Sequence, residues 1–424
     1  MDKIVQEILK RQFTGYQIDS RLIKKGNIFF ALKGEKTDGH EYLQDVANNK
    51  VVAAIIQKDH IPDNQSLDIE LIRVDDVLSF LQSLAAEALK KSSAKIIAVT
   101  GTSGKTTTKE FIFELLSSDL KVSKTYESYN SQAGLPIAIL NIDKNVDFLV
   151  LEMAMDEKNE IEKLIKIAPP DIALITQLAS YPGDLKTIEN LARGKKEIFS
   201  DKKTKHKLIN KNMAHLKAFS KEKFLTFSIE DKKADFYFDI KKNIFYEMDR
   251  KTTIVPPFKE THLLENVTAA IAVCRLANAS YENILKNLNK LKPVRMRFEK
   301  EKIQGVLFIK DYYNGNPDAT IAALKNLPKN KGKKIAVLGT HSSYGILSNK
   351  VHLEILQIAN KYVDEILCIG DFWPKNVENQ IQKAKKFSTL KNIATYLKNT
   401  IKKDDVILIK GSRFLEMEKI FDYL

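Results

Sequence analysis

The sequence predicts a mixed α/β protein of three consecutive domains, and three observations carry that prediction. Short apolar runs of strand type alternate with helical patterns along the chain. The runs Lys95–Thr100, Phe148–Leu151 and Ile172–Thr176 are almost continuously apolar, as strands buried on both faces of a largely parallel sheet must be. At 424 residues the chain exceeds what one hydrophobic core organises, so size alone argues for several domains.

The first domain, residues 1–92, has strand patterns at Asn27–Leu32, Val51–Ile56 and Ile69–Val74 and a helical one at Val77–Leu89. Lys90-Lys91-Ser92-Ser93 reads as a linker. The second, residues 93–292, holds the three buried-strand runs. The third, residues 293–424, is expected to be Rossmann-like: strands at Ile335–Leu338, Ile366–Ile369 and Val406–Ile409, helices at Thr320–Leu327 and Val351–Tyr362.

Composition narrows the function classes. With 44% hydrophobic and 29% charged residues the chain can bury a core. The charged start, Asp2-Lys3, and the lack of an apolar run near the ~18 residues of a spanning helix predict a cytoplasmic protein without a transmembrane segment. Cys274 and Cys368, the only cysteines, stand in apolar surroundings and are expected in the core. The net charge is +14, but nine of the 68 basic residues are Arg and the lysines are scattered, so no nucleic-acid partner is expected.

The strand ending at Thr100 runs into Gly101-Thr102-Ser103-Gly104-Lys105-Thr106-Thr107, and a helical pattern follows. Glycines let successive amides and the positive helix end face an anion. Lys105 supplies a point charge for β and γ phosphates, and the Thr106 hydroxyl suits magnesium. This is a P-loop for a nucleoside triphosphate and Mg²⁺, in a variant form with Val99 where the commonest pattern has glycine. Glu152, closing a neighbouring strand, is the candidate carboxylate for the metal. The central domain is therefore expected to be an ATPase-type P-loop domain.

The loop, with Lys109-Glu110 after it, resembles that of the Mur ligase family, and the resemblance covers all three domains. Ser20, Arg21 and Gly34, within Ile18–Arg21 and Gly26–Gly34, resemble the family's UDP-recognition segment. Asn130 and Ser131, in Asn130–Pro136, resemble a substrate-facing loop, and Lys195 falls in register with a lysine that is often carbamoylated and then bridges magnesium. His262 and Asn266 match a His-x-x-x-Asn element whose asparagine contacts nucleotide, and Arg295 a phosphate-contacting arginine. Asp311, Asn314 and Asn316 lie in Asp311–Pro317, close to the element of the family's dipeptide-adding members, where the aspartate holds ribose. His352 and Lys410–Arg413 also fall in register.

The resemblance implies a ligase that forms an amide through an acyl phosphate. Lys105, Lys195 and Glu152 would be catalytic, and Thr106, Glu152 and Lys195 would hold the metal. The substrates implied are UDP-N-acetylmuramoyl-tripeptide and D-alanyl-D-alanine, the cofactors ATP and Mg²⁺, the state a monomer, with peripheral association with wall-synthesis proteins open. A related ligase adding one amino acid, and a nucleotide-binding scaffold with reduced turnover, are the alternative readings.

The sequence departs from the family pattern at three places. Gln177–Leu185 lacks an Ala-His-Leu element whose histidine serves a second magnesium, and Asp184 is the nearby candidate for a substitute oxygen ligand. Thr340–Gly345 replaces an Asp-Met-x-Glu-Leu-Gly run, and Glu260 stands where glycine is expected.

Overall fold

The structure, a computed structural model, describes residues 2–34, 37–62, 67–126, 129–180, 185, 187–341 and 344–424, without the side chains of residues 2 and 346. Three sheets succeed one another along the chain. The first orders Gly15–Gln17, Asn27–Phe30, Ala53–Gln57 and Glu70–Val74, all parallel. Its helix Val77–Lys90 buries Phe80, Leu81, Leu84 and Ala85 in one apolar cluster with Leu135, Ile139 and Leu151 of the central part. Each large side chain removed from water there contributes about 1.5–3 kcal/mol. Asn141 clamps the same junction, accepting from Tyr16 N–H at 3.0 Å and donating to its carbonyl at 2.8 Å.

The central sheet has nine strands. One end of it is Ile172–Ile175, Lys95–Thr100, Phe148–Glu152 and the edge strand Val122–Lys124, in that spatial order and all parallel. Lys95–Thr100 thus has chain-later strands on both sides, and the crevice at its carboxyl end is where such sheets bind ligands. Val99 lies opposite Glu152 and Thr100 opposite Ile175, so the three strand ends open into one place. At the far side Phe236–Asp239, Ile244–Glu247 and Arg250–Thr253 form an antiparallel ribbon that the sequence reading did not foresee. Phe236, Phe238 and Phe245 alternate inward there and join the core beneath the helix Thr261–Leu276.

The third sheet has six strands, parallel except for Glu299–Ile303 against Val306–Asp311 at its edge. Asp311 ends one strand and Lys410 pairs with it from the end of the next, again at the carboxyl edge. Among the described residues no helix is long and apolar enough to cross a membrane. Cys274 and Cys368 are both free and buried.

Candidate functional site

The phosphate loop is held open by its glycines. Gly101 has φ +144°, and a Cβ there would lie 2.1 Å from Thr176 Oγ1. Gly104 has φ +83° at the helix start, where a Cβ would lie 2.4 Å from Asn266 Oδ1. Thr176 fixes the loop from the adjacent strand end: its hydroxyl donates to the carbonyls of Ser103 at 2.6 Å and Thr100 at 3.1 Å. Thr102 N–H donates to the Gln177 carbonyl at 2.7 Å. The helix Lys105–Leu116 then begins with its free N–H groups aimed into the crevice, an electropositive end.

Thr106 opens this helix with its hydroxyl buried against the neighbouring strand. It donates to Glu152 Oε2 at 2.6 Å, while Asn130 Nδ2 donates to Oε1 at 2.7 Å. Glu152 is 1% exposed, and both oxygens are therefore oriented by neighbours. A hydroxyl and a carboxylate side by side are hard oxygen donors that fit Mg²⁺, which takes one or two protein oxygens and completes its shell with phosphate and water. Among the described residues no cluster of three His, Cys, Asp or Glu side chains exists that would suit a softer or wholly protein-bound metal.

Lys105 lies beside this pair, and burial lowers its pKa, opposed by the Glu152 charge. Lys195, on the helix Ile188–Lys196, is 4% exposed. Burial first, then the charge of Lys105, pushes its pKa down to about 7 against the pull of Asp156, Glu160 and Glu197. A buried amine that is substantially neutral near pH 7 is a nucleophile, which the chemistry of carbamoylation requires.

Gly101 to Thr107, Asn130, Glu152, Lys195, Asn266, Asp311, Asn314 and Asn316 line one cavity of about 600 Å³. The third part of the chain closes it. Asn316 Nδ2 donates to Ser103 Oγ at 3.1 Å while its Oδ1 caps the helix Pro317–Lys325 by accepting from Ala319 N–H at 2.8 Å. Asp318 accepts from Ser180 N–H at 2.8 Å. Asp311 is held by Lys410, 1% exposed, at 2.9 Å. His262 lines the same wall, its pKa lowered by burial and raised by Asp311, and its Nδ1 is buried without a hydrogen-bond partner.

A second cavity of about 690 Å³ adjoins the first, lined by Gly34, Lys33, Asp76, Ser131 and Glu160 among others. Asn130, Ala154, Met155 and Asp156 line both. The two cavities therefore meet at those four residues.

Three expectations meet a different arrangement, and a fourth falls outside the described residues. Arg295 is exposed and does not line the cavity; Arg297 does, donating to Thr106 Oγ1 at 2.9 Å with its guanidinium 4.2 Å from the Tyr313 ring centre. The reason lies in the backbone: Met296 (φ +59°) and Phe298 (φ +56°) are left-handed, and the turn they make swings Arg297 inward. Ser20 and Arg21 lie outside both linings, because Arg21 is exposed and paired with Asp19 at 2.6 Å. His352 is fully buried, accepting from His341 N–H at 3.0 Å through Nε2 and meeting the Ser348 carbonyl at 2.7 Å through Nδ1, a satisfied core histidine. Asp184 lies outside the described residues.

The sequence reading also missed Glu265. Its carboxyl accepts from Asn210 Nδ2 and, at 2.6 Å, from Gln177 Nε2, and burial pushes its pKa up to about 7. Only its place next to Asn266 in the chain hinted at a role.

Fold and site together define a three-part P-loop enzyme that acts on a nucleoside triphosphate with a hard divalent cation. Comparison with known proteins gives the particular family. Residues 12–88 match the Mur ligase family catalytic domain, residues 99–274 the Mur ligase middle domain, and residues 294–413 the Mur ligase glutamate ligase domain. A Bacillus subtilis protein named UDP-N-acetylmuramoyl-tripeptide–D-alanyl-D-alanine ligase is 31% identical over 96% of this chain and 92% of its own. The MurF ligase of Thermotoga maritima, solved in complex with ADP, has a TM-score of 0.80 at 28% identity over 96% of both chains. MurF from Acinetobacter baumannii has a TM-score of 0.84 at 25% identity over 98% of this chain and 94% of its own. The chain belongs to the Mur ligase family.

Proposed function

We propose that this chain is the ATP- and Mg²⁺-dependent ligase that joins D-alanyl-D-alanine to UDP-N-acetylmuramoyl-tripeptide in peptidoglycan precursor synthesis. The observation that carries this reading is the seam at Asn130 and Asp156, where the P-loop cavity meets a second cavity of about 690 Å³. Near-full-length likeness to relatives named for that reaction supports it.

Gly101–Thr107 bind the triphosphate with backbone amides and the helix end, and Lys105 neutralises the transferring group. A terminal carboxylate oxygen of the tripeptide attacks the γ phosphorus; the bond to the ADP oxygen breaks, leaving an acyl phosphate. The neutral amine of the dipeptide then attacks the acyl carbon, phosphate leaves and the amine proton passes to solvent. Mg²⁺, when held by Thr106, Glu152 and a carbamoylated Lys195, adds positive charge beside the phosphates. Arg297 positions Thr106 and adds positive charge to the same wall. Asn266 and Asp311 hold the nucleoside, and Asn314 and Asn316 shape the closure that keeps water from the acyl phosphate.

The reading includes domain limits of 1–92, 93–292 and 293–424, a cytoplasmic location and action as a monomer. It is tested with tripeptide substrate carrying ¹⁸O in its terminal carboxylate. The released phosphate is expected to carry one ¹⁸O, and unlabelled phosphate with labelled product would exclude the acyl phosphate.

A further inference from the structure

Glu152 ends the strand on one side of Lys95–Thr100, and Gln177 follows Ile172–Ile175 on its other side. There Gln177 and Glu265 line the cavity beside Asn266, with Leu263, Ala322 and Ala323 offering apolar surface. A triphosphate anchored on the loop and turned away from the metal side would lay its base along this wall, where apolar groups suit the base faces and polar groups its edge.

Glu265 is half-buried, and its orientation is set on both sides. Asn210, 1% exposed, uses its Oδ1 to accept from Asn212 N–H at 3.1 Å, which leaves its Nδ2 to donate to Glu265 Oε1. Gln177 Nε2 donates to Oε2 at 2.6 Å, and the Gln177 carbonyl holds Thr102 of the phosphate loop. Both carboxyl oxygens are thus fixed as acceptors one side chain away from the loop, and each has capacity for a further donor.

We propose that Glu265 reads the base of the nucleotide, accepting a hydrogen bond from the exocyclic amine of adenine and rejecting the carbonyl that guanine carries at that position. The proposal rests on the reading of this cavity as a triphosphate site. With the carboxyl ionised, guanine would set its O6 against a carboxylate oxygen, two acceptors with no proton between them.

The test is calorimetric binding at about pH 8.5, where the Glu265 carboxyl is ionised, without the second substrates, of ATP, GTP and purine riboside triphosphate, which lacks the amine. The wild-type chain is expected to bind ATP roughly tenfold or more tightly than either of the others. Glu265→Gln places an amide donor where one acceptor stood and is expected to bring the ATP to GTP ratio about tenfold closer to one. An unchanged ratio in Glu265→Gln overturns the proposal. Should that variant fail to fold, the wild-type chain decides: equal affinity for ATP and purine riboside triphosphate overturns it. Failure to bind any triphosphate would overturn both this proposal and the nucleotide reading beneath it, whereas ATP binding without discrimination sinks this one alone.

Discussion

The Thr106 hydroxyl donates a 2.6 Å hydrogen bond to the Glu152 carboxylate, tying the first turn of the P-loop helix to the end of the adjacent strand. Two oxygens that a metal needs are thereby held together by a side-chain hydrogen bond between two element ends. Thr106→Val keeps the shape but removes the donor, and leaves Glu152 and Arg297 each one partner short. Activity is expected to fall by about 10²–10³ in kcat and stability by about 1–3 kcal/mol. Steady-state kinetics across a magnesium series, with denaturant unfolding alongside, checks both.

Arg297 and Arg295 are separated by one residue and face different surroundings. Arg297→Ala removes the guanidinium that touches Thr106 and is expected to lower kcat by about 10²-fold. Arg295→Ala, at an exposed position, is expected to stay within about twofold of wild type. Parallel assays of the two variants decide between them, and equal losses would refute the assignment.

Lys195 makes stability depend on pH in a direction opposite to that of a salt-bridged lysine. Its pKa falls from 10.5 to about 7 on folding, so between those values the unfolded chain binds the extra proton. Stability therefore rises with pH through that window and is lost as pH falls towards 7, below which both states are charged and the penalty stays constant. In buffers free of carbon dioxide, the stability of wild type relative to Lys195→Met is expected to increase between about pH 7 and pH 9. A flat difference would mean that the amine is not held in a depressed state.

Lys410 reaches Asp311 at 2.9 Å and donates to the carbonyls of Asp311 and Asn314, each at 3.2 Å. Lys410→Met strands the aspartate and frees the loop that carries Asn314 and Asn316. A loss of about 3 kcal/mol is expected, and hydrogen exchange is expected to quicken in Val306–Asp311 and Val406–Lys410. Unchanged protection in those strands would show that the ion pair does not hold the loop.

Legibility in the sequence followed how local each feature is. The P-loop could be read because glycines, lysine and the helix start lie within a few residues, and Glu152 because it closes a strand whose apolar run is visible. Arg297 was hidden by two left-handed residues that no periodicity announces. Glu265 was hidden because its partners Gln177 and Asn210 lie 88 and 55 residues away in the chain. The ribbon Phe236–Thr253 was missed because its inward phenylalanines sit among charged residues, with only a short alternating pattern to mark it.

The most direct test of the central claim is phosphate release by the purified chain with ATP, Mg²⁺ and UDP-N-acetylmuramoyl-tripeptide, with and without D-alanyl-D-alanine, followed by mass analysis of the product. Release that depends on the dipeptide, with one pentapeptide precursor formed per phosphate, is the predicted result. Release that ignores the dipeptide, or that requires a single free amino acid instead, would contradict the account.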